Sequence, residues 1–317
     1  MTAYLGIDIA KLKFDVELLN NDKFKSHKFA NNVKGFKELL SWLKKQKVDD
    51  VHICMEATGS YGDALAHFLF DESIYVSVVN PAQIKAFAQT QLTRNKTDQA
   101  DAKLIARYAC LHQPALWQPQ PKHIRELQAW VRRLEALQGL LQQEQNRLDT
   151  ASPVVIASIE AVIKTLTKEI EVVRKHIRDH IDQHPDLRGK RDLLDTIPGI
   201  GEATIAQLLT EFSEPSRFTD AKAAAAFTGI TPKQYQSGTS VKGRTRISKT
   251  GHSRLRKALY MPALVALRYN PIIKAFAQRL TARGKSKMAV ICAAMRKLIH
   301  IAYGVLKSGK PFDPTLA

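Results

Sequence analysis

From Ile124 to Ile181, apolar side chains return every three or four residues, with one interruption at Ser152-Pro153. Ile124, Leu127, Val131, Leu134, Leu137 and Leu141 form the first series; Val155, Ile159, Val162, Leu166, Ile170, Val173, Ile177 and Ile181 form the second. This spacing keeps one helix face apolar over many turns, so residues 123–181 are expected to form two long helices in a hairpin or coiled coil. Such a seam packs internally or joins chains, and a homo-oligomer, dimer or tetramer, is the preferred reading. The seam divides the chain into three expected parts: an α/β domain over 1–121, the helical segment over 122–186, and a mainly helical basic domain over 187–317.

Charge follows the same division. Residues 1–121 carry a net +2, residues 122–187 carry 0 and residues 188–317 carry +16, nearly all of the total of +18. Between Asp220 and Asp313 there is no acid, while Lys and Arg occur 19 times. A face this free of carboxylates attracts a phosphate backbone, whereas a merely solvated surface usually mixes both signs. Nucleic acid is therefore the expected partner. A hydrophobic content of 44% is enough for real cores and excludes a disordered polycation.

Cys54, Cys110 and Cys292 show no CxxC spacing and suggest small core residues in a reducing cytoplasm. Asp8, Lys11 and Lys13 interrupt any leader, and no uncharged apolar stretch approaches bilayer length, so a soluble, unprocessed chain without a membrane partner is expected. The histidines show no paired-ligand pattern that would suggest zinc.

Residues 4–9 (YLGIDI), 14–19 and 25–30 read as an antiparallel meander, followed by a helix over 34–45, a strand over 51–55, a helix over 61–70 and a strand over 75–79. Three strands, helix, strand, helix, strand is the order of a ribonuclease H-like domain, although periodicity allows other α/β folds. Asp8 lies within the first apolar strand and Glu56 ends the fourth. A carboxylate in an apolar run is costly to bury unless it sits at an accessible edge or meets a cation. Asp98 and Asp101 open a helix with Thr97 as its expected N-cap, and three-residue spacing puts both on one face. Taken by themselves, Asp98 and Asp101 could be first-turn acids that only favour the helix dipole, and Glu56 a loop residue. Four clustered carboxylates repel strongly unless neutralised, and two Mg²⁺ ions would balance them and clamp a scissile phosphate.

In the last part, residues 193–209 (LLDTIPGIGEATIAQLL) read as two helices joined by Ile197-Pro198-Gly199-Ile200-Gly201. This resembles a helix-hairpin-helix element, in which Gly199 and Gly201 would expose backbone N–H groups to a DNA phosphate; an ordinary helix-to-helix turn would use the same residues. Lys242, Arg244, Arg246, Lys249, Arg254 and Arg256 follow as candidate nucleic-acid contacts, and helices are expected over 254–268, 271–280 and 287–303.

The order GIDIAK, MEATGSY, VVNPAQIKAF, RNKTDQADA, TIPGIGEATI, AAFTGITPKQYQSGTSVKGRTRISKTGHSRLRKALY and AYGVLKSGKPF resembles the DEDD-type insertion-sequence transposases of the insertion-sequence one-ten family, described as bridge-RNA-guided recombinases. The resemblance spans nearly the whole chain. It implies a RuvC-like N-terminal domain in which Asp8, Glu56, Asp98 and Asp101 bind Mg²⁺, a coiled-coil middle, and a C-terminal transposase domain with a nucleophilic serine. Within Tyr235-Gln236-Ser237-Gly238-Thr239-Ser240 the matching position is Ser237. It further implies a structured guide RNA that pairs with both target and donor double-stranded DNA, leaving the protein to read backbone and shape. Read without the family, Ser237 is a serine in a short polar loop beside basic residues. A serine hydroxyl needs a base or a metal to become a good nucleophile, so the acids and Ser237 would have to meet in a composite site. Two rivals remain: a RuvC-like structure-specific nuclease using water, and a non-enzymatic scaffold that oligomerises through the seam.

Overall fold

Three strands open the chain: β1 (Ala3–Ile9), β2 (Lys13–Asn20) and β3 (Lys23–Ala30). Asn21 and Asp22, both with positive φ, make the two-residue turn that returns β3 along β2. Helix α1 (Val33–Lys45), strand β4 (Val51–Glu56), helix α2 (Asp63–Asp71), strand β5 (Tyr75–Val79) and helices α3 (Pro81–Thr90) and α4 (Asp98–His112) follow. The computed structural model describes residues 3–48, 50–57, 59, 61–91, 97–234, 236–237, 241–242 and 245–316, with Gln236, Ser237, Val241, Lys242 and Leu316 by backbone alone. The chain divides into two units, Met1–Gln120 and Pro121–Ala317.

In the first unit the strand order is β3-β2-β1-β4-β5, with β1, β2 and β3 antiparallel and β1, β4 and β5 parallel. Period-two alternation sends Leu5, Ile7 and Ile9 of β1 with Phe14, Val16 and Leu18 of β2 to one face, where they pack with Phe36 and Leu39 of α1 and Leu65 and Leu69 of α2. Cys54 and Val79 face the other way, against Ile84 and Phe87 of α3 and Leu104, Ile105 and Ala109 of α4. The sheet is thus covered on both faces, the expected α/β arrangement.

Helix α4 lies directly on β1 because residue 6 is glycine. A Cβ there would stand 2.1 Å from the Ala102 carbonyl oxygen and 2.3 Å from the Ala106 nitrogen, both backbone atoms of α4. Thr97 caps the helix as its sequence position suggests, its Oγ1 accepting from the Ala100 N–H at 3.1 Å.

The second unit begins with the two long helices, α5 (Lys122–Leu148) and α6 (Pro153–Gln183), broken at the expected place. Then come α7 (Pro185–Asp195), α8 (Glu202–Phe212), α9 (Ala221–Phe227), the two-residue strands β6 (Pro232–Lys233), β7 (Gln236–Ser237), β8 (Val241–Lys242) and β9 (Arg246–Ile247), and α10 (Ser253–Ala258), α11 (Tyr260–Tyr269), α12 (Pro271–Ala282) and α13 (Lys287–Ser308). The single helix expected over 254–268 is two, since Pro262 has no N–H to continue α10 into α11.

Only the proximal half of the helical seam is buried: Ile124, Leu127, Val131, Leu134 and Leu137 with Ile170, Val173, Ile177 and Ile181, in one core shared with α7 to α13. Val154, Val155 and Val162 remain exposed towards the tip. By length and composition α13 could cross a membrane; its Val290, Met295, Leu298 and Ile299 are instead buried in this unit's core.

Candidate functional site

The four acids expected to cooperate all belong to the first unit. Ile7 faces Met55 in the parallel register of β1 and β4, so Asp8 and Glu56 are the next residues along two adjacent strands, on the face covered by α4. Asp98 and Asp101 stand in the first turn of α4. Their mutual influence is visible at Asp8, whose carboxyl is pushed up to about 6, first by burial and then by the charges of Asp101, Asp98, Glu56 and Asp15.

Asp15 is a participant that sequence reasoning missed. In the antiparallel register it stands directly opposite Asp8, and it is buried. Lys28 Nζ lies 3.1 Å from its Oδ1 and Lys13 Nζ lies 3.6 Å from its Oδ2. Lys13 also donates to Asp98 Oδ2 at 2.9 Å, which holds the Asp98 carboxyl below its ordinary range. Two residues along β2, Glu17 is only 2% exposed. Its Oε1 accepts from Ser26 Oγ at 2.5 Å and Gln99 Nε2 at 3.0 Å, while its Oε2 has no hydrogen-bond partner among the described residues. The available signal was the alternation Lys13-x-Asp15-x-Glu17, which places all three side chains on the α4 face once register is known.

All the donors here are carboxylate oxygens, the set that suits a hard divalent cation such as Mg²⁺. Among the described residues, no three acid, imidazole or thiol groups already converge as ligands. Lys13 is the cation that Asp98 holds instead. The fit is one of chemistry and charge: Asp8 carries repulsion that a bound cation would relieve.

Ser237 belongs to the second unit. Its backbone is not in a loop, as sequence suggests, but in β7, paired with Val241 of β8, and Gln236 pairs with Lys242. Outside this pair, Pro232 faces Ile247 and Lys233 faces Arg246. These two short ladders form an arm as far as its residues are described; Arg244 lies outside the described residues. Arg246 and Lys249 are exposed, Lys249 with φ +56°. Arg254 is exposed, 3.8 Å from Glu135. Arg256 points inward, its Nη1 donating to the carbonyls of Thr228 at 3.1 Å and Lys249 at 3.3 Å.

At the turn before α8, Gly199 has φ +105°, and a Cβ would meet Ala266 of α11 at 2.7 Å, so this glycine serves backbone shape and packing. The buried Asn270 secures the same turn by donating to the Pro198 carbonyl at 3.3 Å. Gly201 is open at the N-terminus of α8, with nothing among the described residues within 4 Å of a Cβ placed there. Glu202 follows it and pairs with Arg178 at 3.2 Å, placing a carboxylate where an anion would approach. Cys54 is buried and its thiol is pushed up to about 12 by burial, as suits an inert core residue.

A family model described as transposase, of the IS110 DEDD type, matches residues 5–151, and a second, transposase IS116/IS110/IS902 family, matches residues 191–278. A pilin gene-inverting protein of Moraxella bovis is 36% identical over 314 residues, covering 98% of this chain and 97% of its own length. A protein of the same name from Moraxella lacunata is also 36% identical, over the same shares. A transposase for insertion sequence element IS1328 from Yersinia enterocolitica is 30% identical over 156 residues, 47% of this chain and 44% of that protein.

Proposed function

Since the chain belongs to the IS110 family of transposases, a family of DNA recombinases, we propose that it cuts and rejoins DNA through a covalent bond to Ser237, in a site completed by the four acids of the first unit. In the first step Ser237 Oγ attacks a phosphodiester. An O–P bond forms, one bridging P–O bond breaks, the serine proton passes to a base and the leaving oxygen takes up a proton as a free hydroxyl. In the second step a hydroxyl of another strand attacks the phosphoserine and restores both the diester and the serine. No high-energy cofactor is consumed, because the bond to serine conserves the energy of the broken one.

The observation that carries this reading is the raised carboxyl of Asp8, pushed up first by burial and then by the charges of Asp101, Asp98, Glu56 and Asp15. Asp8 and Glu56 from the strands, with Asp98 and Asp101 from α4, would hold Mg²⁺. When bound, it would offset the charge of the phosphodiester. Lys13 and Lys28 keep the acid cluster tolerable in the absence of metal. The strand order β3-β2-β1-β4-β5, with an antiparallel start and parallel end, supports a RuvC-like, ribonuclease H-like architecture. The exposed apolar tip of α6 supports assembly of copies through the hairpin, which would let acids and Ser237 come from different subunits. The +16 charge of residues 188–317 supports binding of target and donor DNA and of the structured guide RNA that the family resemblance implies. The pilin gene-inverting name of the full-length relatives supports a conservative exchange, in which every broken bond is remade.

The test is covalent capture with Mg²⁺, flanking-element RNA and both DNA partners, comparing wild type, Ser237→Ala and Asp101→Ala. A protease-sensitive DNA adduct lost in both variants is expected. Cleavage without an adduct, surviving Ser237→Ala but not Asp101→Ala, would make the protein a hydrolytic nuclease that uses water.

A further inference from the structure

We propose that Arg256 is a positioning residue that clamps the root of the arm carrying Ser237, and that it makes no DNA contact. The inference rests on the reading of Ser237 as the nucleophile, which it deepens.

The arm cannot hold its own position. Its strands are two residues each, and an isolated hairpin of that size is marginal in water. Where the Ser237 backbone lies relative to the second unit's core is therefore decided where the arm enters and leaves. There the two chain segments are in direct backbone contact. Ser248 N–H donates to the Thr231 carbonyl at 2.9 Å, Lys249 N–H to Gly229 at 3.1 Å and His252 N–H to Phe227 at 2.7 Å. Contact is so close that Gly251, with φ +141°, has no room for a Cβ, which would sit 2.4 Å from the Phe227 oxygen.

Arg256 spans this root. One nitrogen, Nη1, donates to Thr228 on the entering segment and to Lys249 on the leaving one. A Cβ on Gly229 would meet the same nitrogen at 2.6 Å, so the guanidinium lies flush against the crossing. The helix that presents it is itself anchored. Leu255 is fully buried, and His252 Nδ1 accepts from the Leu255 N–H at 3.2 Å. That bond leaves the ring proton on Nε2, which faces Glu211 Oε1 at 3.3 Å, and Gln128 of α5 donates to the same oxygen at 3.0 Å. Arg256 thus stands on a fixed base and bridges two carbonyls, while an arginine that grips phosphate needs its donors facing outward.

The experiment uses the full-length protein with Arg256→Gln and Arg256→Lys, and Arg254→Gln as the outward-facing comparison. DNA affinity is measured against salt, amide exchange across residues 227–252 by mass spectrometry, and adduct yield by covalent capture. For Arg256→Gln we expect affinity and salt slope to hold, while protection of the root amides and adduct yield each fall about tenfold or more, the scale of one lost charged hydrogen bond. Arg256→Lys should recover part of both, and it decides the matter if Arg256→Gln does not fold. Arg254→Gln should lower the salt slope by about one without changing root exchange. The clamp is overturned if Arg256→Gln lowers the salt slope in the same way and leaves the root amides protected. If wild type forms no Ser237-dependent adduct, the nucleophile reading fails, and amide exchange alone still decides the clamp.

Discussion

Burial and neighbouring carboxylates push the Asp8 carboxyl up to about 6, so between the ordinary carboxylate value of 3.8 and that value it keeps a proton that an unfolded aspartate has released. A raised folded-state value means that its contribution to stability is full below the ordinary carboxylate range and is lost as pH rises through about 6. Metal-free Asp8→Asn should therefore melt above wild type at pH 8, with the gap closing towards pH 4, in thermal denaturation followed by circular dichroism. Mg²⁺ should raise the wild-type Tm more at pH 8 than at pH 5 and leave Asp8→Asn nearly unmoved. An equal response in both proteins would remove Asp8 from the metal site. Asp8 and Glu56 were legible in the sequence because each carboxylate sits within or at the end of an apolar strand. Asp15, Lys13 and Lys28 were not: alternating charges on a strand read as a solvated face until pairing puts Asp15 across from Asp8 and Lys28 across from Asp15.

At the next scale the site depends on how α4 is seated. Gly6 lets the helix rest on β1, and the atoms that an added methyl would strike belong to backbone and cannot swing aside. Gly6→Ala should cost about 1–3 kcal/mol or more in urea unfolding and weaken the thermal response to Mg²⁺. Thr97→Ala, which removes the cap of the same helix, should cost about 1 kcal/mol and also blunt that response. Asn32→Ala removes a comparable cap, that of α1 on the opposite face of the sheet. It should lose similar stability with the Mg²⁺ response intact, and a matching loss of response would mean that general loosening, not the seat of α4, is being measured. The strands and helices of the first unit follow their apolar periods closely. Strands β6 to β9 of the arm could not be read in that way, because two-residue strands are too short to show a period. Helix α9, sequence AKAAAAF, has no polar face to mark it, and the break at Leu259 was hidden by an apolar pattern that continues across it.

For the whole molecule, the helical hairpin was legible as a seam, but a seam does not say which of its residues meet the same chain. The structure separates them: Val173 is 4% exposed within the core, and Val162, three turns nearer the tip, is 43% exposed. Val173→Asp should unfold the second unit. Val162→Asp should leave the melting of the monomer fold unchanged and reduce the mass measured by light scattering on a sizing column; an unchanged mass would assign assembly to another surface. Charge is equally uneven, and binding of DNA should weaken steeply with salt even in Asp98→Ala, since residues 188–317 carry +16. The arm bears on this division in one further way. Its two feet, Gly229 and Ser248, are sequence-distant but already touch, Ser248 Oγ reaching the Gly229 carbonyl at 3.3 Å. Excising residues 232–246 and closing the gap with a short glycine link would therefore ask little of the remaining chain. If Ser237 is the nucleophile, such a protein should form no adduct yet still occupy DNA through the basic residues that remain, at lower affinity for the loss of Lys233, Lys242, Arg244 and Arg246: an inert competitor of the intact protein.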